Sequence, residues 1–337
     1  MAQEETERKP IVAVPVRDEA ERLPALIEAL DSQTWISQTN QILPIIFVLN
    51  NCHDNSADIL REVSARSPHL ALSVIDIHFP PACAHVGSAR RLAMEEALRM
   101  AGLHSVLLTT DADAVPAPTW IDANLRAIEN GADLVGGNII GDCEEEAVLG
   151  PGFLQRAMRH LHYARLVDQL SALIDPIPHD PWPRHSDHTG ASLAVRGEVY
   201  SAVGGIPALP FREDVAFVSA VCRAGYRLRH PLDVQVIVSA RLEGRAAGGM
   251  ADCLTAWVDA AAQGRPHLVD DPLKVAARLH HRRFARSGDE AAPIVYSAVE
   301  DDFSDKGPDA NKEIDIELAI KRIEQMIETS QDKTCVA

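Results

Sequence analysis

Asp111-Ala112-Asp113 ends an apolar run, Ser105 to Thr110, that reads as a buried central strand. Two carboxylates at such a place cost free energy unless water or positive charge meets them. In extended backbone, residues two apart point the same way. Asp111 and Asp113 can therefore converge on one hard divalent cation, Mg2+ or Mn2+, which in turn can bridge a diphosphate. Taken alone, the tripeptide reads more plainly as an Asx-rich turn capping the strand. Glu213 and Asp214 form a second acidic pair at a helix start, where acidic residues are also the ordinary complement to the helix dipole. Arg90 and Arg91 open a helix, an unfavourable place for cations, so a nearby anion or the pyrimidine ring of a nucleotide would explain them; surface arginines are the alternative. Arg241 and Arg245 lie in the Gly-rich segment Ser239 to Gly249. A loop folding over a diphosphate and clamping it with guanidinium groups, and a solvated loop, both fit that segment.

The elements that position these residues alternate β-branched runs with amphipathic helical spacing, which predicts a largely parallel sheet with helices on both faces. Ile11 to Val16 is a first buried strand, and Asp18 offers an N-cap to a helix carrying Leu23, Leu26, Ile27 and Leu30 on one face. Strand Pro44 to Leu49, turn Asn50 to Asn55 and a helix from Ser56 make a second unit. Strand Ala71 to Ile77, helix Ser88 to Met100, helix Thr119 to Glu129, strand Asp133 to Ile139 and a long helix Phe153 to Leu173 follow. Asp175 to His188, rich in Pro, His and Asp, reads as an ordered loop bordering a site. Thr189 to Val195 and Val234 to Val238 read as strands, and Val215 to Ala224 as a helix. Leu254 to Ala262, Pro272 to Phe284 and Ile314 to Ile327 are helical in pattern, with an acidic stretch after Val299. The expected division is a main domain over 1–250, a helical appendage over 251–298, and an acidic link with a terminal helix over 299–337.

With 337 residues, 46% of them hydrophobic, the chain can bury one large core and a smaller appendage. A net charge of -17 would repel a nucleic acid, so that partner is not expected, whereas a few local cations can still hold a diphosphate. The six cysteines form no CxxC pair, which fits a reducing compartment. No apolar run is long enough to span a bilayer and the N-terminus is polar, so the expected location is cytoplasmic, with peripheral contact at a membrane left open.

Several of these segments together resemble a known family. Ile11-Val-Ala-Val-Pro-Val-Arg-Asp-Glu-Ala20, the turn Asn50 to Ser56, Gly87-Ser-Ala-Arg-Arg91 and Thr109-Thr-Asp-Ala-Asp113 resemble, in order, the donor-site motifs of family 2 glycosyltransferases. His188-Thr-Gly-Ala-Ser-Leu-Ala-Val-Arg196, Val203-Gly-Gly205 and Phe211-Arg-Glu-Asp-Val215 resemble that family's acceptor-side strand and ED motif. The resemblance covers roughly residues 10–245.

It implies the GT-A fold, a Rossmann-like mixed sheet flanked by helices, here with a C-terminal helical extension. It also implies metal-assisted transfer of a sugar, with inversion, from a nucleoside diphosphate to a hydroxyl acceptor. By the same resemblance, Pro15, Val16, Arg17, Glu19, Asn50, Asp54, Arg90, Arg91, Asp111, Ala112, Gly190, Arg241 and Arg245 contact the nucleotide sugar. Asp113 is then the principal metal ligand with Asp111 beside it, and Asp214, or alternatively Glu213, is the base that takes the acceptor proton. Leu49 and Asn50 stand where many relatives carry two acidic residues, and Arg17-Asp18 replaces a common Tyr-Asn pair, which leaves UDP, GDP and dTDP donors open. The acceptor, whether small molecule, lipid or glycan, is not legible.

Two alternatives carry different chemistry: a nucleotidyltransferase that forms a nucleotide sugar, and a non-catalytic sugar-nucleotide binding module. Pro15 to Glu19 lacks the glycine-rich, lysine-containing loop of the first, and retention of Asp113 and Asp214 argues against the second. His179, Asp180, His185, Asp187 and His188 match no zinc spacing and read as a polar acceptor-site loop. The basic run 278–286 reads as a solvated helix face, with a phosphorylated acceptor or an anionic lipid surface as the other reading.

Overall fold

The structure is a computed structural model and describes residues 8–245, 248–287 and 313–335. Among these, the strands are β1 (Lys9–Val16), β2 (Leu43–Asn50), β3 (Leu70–Ile77), β4 (Ser105–Thr109), β5 (Ala114–Pro116), β6 (Leu134–Gly136), β7 (Asn138–Gly141), β8 (Leu193–Arg196), β9 (Leu228–Arg229), β10 (Gln235–Val238), β11 (Leu268–Asp270) and β12 (Glu313–Asp315).

Seven of them form one sheet in the order β3-β2-β1-β4-β8-β6-β9. Within it β8 runs antiparallel to both β4 and β6, and every other pairing is parallel. β1, β2, β4, β6 and β9 therefore all finish on one edge, where open α/β sheets place their ligands. Side chains alternate across the sheet as the strand period of two demands. Val12, Val14 and Val16 join one core with Leu26, Leu30, Trp120 and Ile121, while Ile11 and Ala13 join another with Ala93, Met94, Phe217 and Val221.

A third core ties the long helix Pro151–Ile174 to the helices Pro272–Ser287 and Ile316–Cys335 through Tyr163, Leu170, Leu279, Ile316 and Ile323. The acidic stretch expected after Val299 lies, up to residue 312, outside the described residues.

Three local expectations are corrected. The single strand expected over Asp133 to Ile139 is two strands in different sheets, β6 in the main one and β7 beside β10. The chain crosses between them at Gly137, whose N–H donates to the Ser192 carbonyl at 2.9 Å. The strand expected from Thr189 starts only at Leu193, because Ser192 N–H folds back onto the Thr189 carbonyl at 3.1 Å. Asp18 does not cap a helix; the first helix begins at Leu23. Asp18 sits at φ 52° and its carboxylate instead accepts the His53 N–H at 2.7 Å, locking two loops of the carboxyl edge together.

Candidate active site

Arg90 organises the carboxyl edge. It is carried by the helix Val86–Ala101, is 2% exposed, and bonds to four residues at once. Its Nε meets Glu213 Oε1 at 3.0 Å, one terminal nitrogen donates to Thr109 Oγ1 at 3.0 Å and to the Gly190 carbonyl at 2.9 Å, and the other donates to Asp111 Oδ1 at 2.7 Å. Burial opposes the guanidinium charge, but Asp111 and Glu213 more than restore it, and the pKa of Arg90 is raised. A residue other than glycine at 190 would put its Cβ 2.5 Å from this guanidinium, so that close approach requires Gly190.

The other acidic residue of the ED pair is held by the same glycine: Gly190 N–H donates to Asp214 Oδ2 at 2.6 Å. Glu213 and Asp214 open the helix Glu213–Arg223 behind Arg212, which adopts the left-handed conformation at φ 57°. Burial, with repulsion from Asp214 working against the pull of Arg90, raises the Glu213 pKa.

Across the edge, Arg241 reaches over Glu19 and Asp113. It pairs with Glu19 through two nitrogens, one at 2.7 Å from Oε2, and with Asp113 Oδ2 at 2.8 Å. Arg245 donates to the Asp18 carbonyl at 2.8 Å, so the Gly-rich segment lies against the loop that follows β1. Glu145, which no sequence signal singled out, roots that segment by accepting from Ser239 Oγ at 2.8 Å and Ala240 N–H at 2.7 Å. Asp113 itself is pushed up to about 6, first by burial and then by Asp111.

Residues 11–172 match the sequence profile of Glycosyl transferase family 2. Over that segment, just under half of its length, the chain is a family 2 glycosyltransferase. Its mixed sheet with flanking helices is the GT-A-type fold that this membership implies. No curated protein matches the chain.

Among solved structures it resembles the mannosyltransferase PcManGT from Pyrobaculum calidifontis in complex with GDP-Man and Mn2+ (19% identity, TM-score 0.48, covering 86% of this chain and 78% of that one). It also resembles residues 1–349 of S. aureus TarS in complex with UDP (14%, TM-score 0.49, 83% and 73%). A third likeness is to GalNAc-T7 with UDP, GalNAc and Mn2+ (11%, TM-score 0.47, 86% and 56%). At such identities and scores these likenesses say nothing about the donor of this family 2 chain.

Of the remaining residues expected to meet a donor, all but Arg91 stand at the same edge. Pro15 and Val16 are the last, buried residues of β1, and Ala112 is buried between the two aspartates. Arg17 donates to the Ala84 carbonyl at 2.6 Å. Arg91, unlike Arg90, is held by Glu95 at 2.7 Å and by the Ile206 carbonyl at 3.1 Å. Asn50, the last residue of β2, is 2% exposed and its Oδ1 has no hydrogen-bond partner, an acceptor left over in a place where nearly all are satisfied.

Metal chemistry fits the aspartate pair. Both donors are hard oxygens, and burial first, then Asp111, raise the Asp113 pKa although Arg241 works against them. Asp18, Cys52 and Asp54 also bring ligand atoms within 4.8 Å of one another. Those atoms are engaged in backbone turns: Asp54 accepts from Ala20 and Ser56 N–H at 2.8 and 3.0 Å, and Asp18 N–H points at Cys52 Sγ at 3.4 Å. Burial raises the Cys52 thiol, which keeps its proton on the sulfur.

The basic run 278–286 is in part the solvated face expected, with Arg278, His280, His281, Arg283 and Phe284 exposed, while Arg282 and Arg286 turn inward. Arg282 and Arg286 both pair with the fully buried Asp175 at the end of the long helix, Arg283 donates to the Ile174 carbonyl at 2.9 Å, and Arg278 pairs with Asp270. The charge of Arg282 and Arg286 is spent internally because an isolated buried carboxylate demands it. No described helix is long and apolar enough to cross a membrane.

Arg90 yields the first prediction. Arg90→Leu leaves Glu213 and Asp111 without their cation and is expected to cost about 3–5 kcal/mol of stability, read from denaturant unfolding. Arg90→Lys keeps the charge but cannot make the fork of contacts, and should recover only part of that loss.

Proposed function

We propose that the chain transfers a glycosyl group from a nucleoside diphosphate sugar to a hydroxyl acceptor, with inversion and with a divalent cation, Mg2+ or Mn2+, held by Asp111 and Asp113. The observation that carries this reading is the single buried guanidinium of Arg90, which joins Asp111 to Glu213 and so brings the two acidic pairs to one point of the carboxyl edge. A cation there would supply a Lewis acid that offsets the charge growing on the departing diphosphate.

The protein's own residues do the rest. Asp214, held by Gly190 N–H, takes the proton of the attacking hydroxyl. Glu213 is tied to Arg90 and serves to orient rather than to exchange a proton. The unpaired Asn50 Oδ1 supports recognition of the base, because it can accept an imide N–H from uracil or thymine or the corresponding ring N–H of guanine. Arg241 and Arg245 fold over the loop after β1 and are the groups available to grip the phosphates.

Incubation with a panel of UDP-, GDP- and dTDP-sugars and Mn2+, assayed for nucleotide release, tests the reading. Absence of release from every donor, with and without simple alcohols and sugars as acceptors, would overturn it.

Without donor, Arg241 holds the aspartate on which the cation depends. Arg241→Ala is therefore expected to bind Mn2+ more tightly in the absence of nucleotide, by about tenfold, and nucleoside diphosphate more weakly by a similar factor. Mn2+ titration followed by electron paramagnetic resonance, beside nucleotide calorimetry, reads the two changes separately.

A further inference from the structure

In the Asp- and His-rich loop, the buried Asp180 is matched inside the fold: it accepts from Arg229 at 2.7 Å and from the His230 backbone N–H at 2.9 Å, and the His230 ring faces His188 at 3.3 Å. Glu145 differs, because its two oxygens serve two segments that meet again at the candidate active site. It stands in the short helix Cys143–Val148, which the pairing of β7 with β10 brings beside the end of β10; Asp142 N–H donates to the Val238 carbonyl at 2.9 Å.

One oxygen of Glu145, Oε2, accepts from Ser239 Oγ at 2.8 Å and from Ala240 N–H at 2.7 Å. The other, Oε1, pairs with Arg22, the residue before the first helix. The Ser239 hydroxyl that donates to Glu145 in turn accepts the backbone N–H of Arg241 at 3.3 Å. On its apolar side the same root is fixed by Ala240, which is 3% exposed and packs with Phe153 and Leu254.

From this root Arg241 spans to Glu19 and to Asp113 Oδ2, the latter at 2.8 Å. Glu19 lies three residues before Arg22 on the loop after β1. Glu145 and Arg241 therefore join the same two segments, 239–241 and 19–22, Glu145 at the root and Arg241 at the tip. A guanidinium fork gains from its planar geometry only where its backbone is held to within about 0.5 Å. Burial opposes the charge of Glu145, but Ser239, Arg22 and Ala240 hold its carboxyl below the usual value, so it is ionised at neutral pH.

We propose that Glu145 is a positioning residue that aims Arg241 across the mouth of the donor site, so that one guanidinium meets Glu19 and Asp113 without donor and the diphosphate with it. This inference rests on the reading of Arg241 as a phosphate ligand. The influence of Glu145 passes through Ser239 and the Arg241 backbone rather than through contact with the donor. Two consequences of opposite sign follow. Loosening the root frees Asp113 for a cation when no nucleotide is bound, and it weakens the grip on the diphosphate when one is.

The test uses the full chain, with Mn2+ alone followed by electron paramagnetic resonance and with the tightest-binding of UDP, GDP and dTDP followed by calorimetry. Glu145→Ala is expected to weaken the nucleoside diphosphate about fivefold and, without nucleotide, to tighten Mn2+ by a similar factor. Glu145→Gln keeps an oxygen for Ser239 and Ala240 but loses the charge that meets Arg22, and should fall between Glu145→Ala and the parent. Added to Arg241→Ala, Glu145→Ala should change neither affinity further, because the group it aims is gone. A residue needed only for folding would move both ligands together or neither, with or without Arg241.

Parental affinities in Glu145→Ala, a shift of both ligands in one direction, or an undiminished effect in the Arg241→Ala background would each overturn the positioning role while leaving Arg241 on the phosphates. Glu145→Gln decides by the same criteria where Glu145→Ala does not fold. Parental affinities in Arg241→Ala itself would remove the assignment of Arg241, and the role of Glu145 with it.

Discussion

Asp113→Ala is expected to lower metal-dependent nucleotide release by about 10³-fold, because the variant loses the ligand through which positive charge meets the leaving diphosphate. The structure adds a signature that a purely structural aspartate would not give. In the metal-free protein the Asp113 carboxyl is pushed up to about 6 from an ordinary 3.8, first by burial and then by Asp111. Cation binding must displace that proton, so Mn2+ affinity should fall about tenfold for each pH unit below about 6.

The sign for folding is opposite. A carboxyl whose folded pKa is raised contributes stability that is fully present below 3.8 and lost as the pH rises through about 6. At neutral pH without metal, Asp113→Asn should therefore unfold a few degrees above the parent, and that advantage should disappear as the pH falls below 3.8. Activity and stability moving in opposite directions would identify Asp113 as a site kept for function. Melting curves at pH 7.5 and pH 3.5, with and without Mn2+, check it.

The second large effect is expected at Asp214. Asp214→Asn keeps an oxygen for the Gly190 N–H but removes the base, and should lower turnover by about 10²–10⁴-fold with nucleotide affinity unchanged. Glu213→Gln provides the contrast. Glu213 is 4% exposed, is bound to Arg90 and has a raised pKa, so its neutralisation should leave the unfolding midpoint at neutral pH equal or slightly higher and lower the rate less than Asp214→Asn does. Steady-state kinetics combined with nucleotide calorimetry and thermal unfolding separate the two roles. Equal turnover by Asp214→Asn and the parent would remove Asp214 from the chemistry.

Much of the edge was legible along the chain because its signals are local. A strand is recognised by its own β-branched run, as in Ile11 to Val16, and an acidic tripeptide at a strand end is read within a few residues. The alternation of Val12 and Val14 with Ile11 and Ala13 specifies two faces before any neighbour is known. Where the sequence reading failed, the deciding partner was distant. Asp18 looks like a helix cap until His53 claims its carboxylate, and Asp133 to Ile139 looks like one strand until Ser192 turns it at Gly137.

Arginines are the hardest to read, because a long cation declares its charge but not its partner. Arg90 could be placed near an anion from its position at a helix start; that its anions are Asp111 and Glu213, 21 and 123 residues away, is a property of how strands and helices stack. The run 278–286 shows the same limit, the guanidinium groups of Arg282 and Arg286 turning inward to the buried Asp175. His230 carried no signal of its own, and only the adjacency of β6 and β9 sets it against Asp180 and His188. The sequence by itself determined the family, the order of the strands along the chain and the acidic residues at their ends, since these depend on neighbours in sequence. Only the tertiary structure decided which charges neutralise one another, because burial makes an unpaired charge costly and the partner is whichever residue the packing brings within about 3 Å.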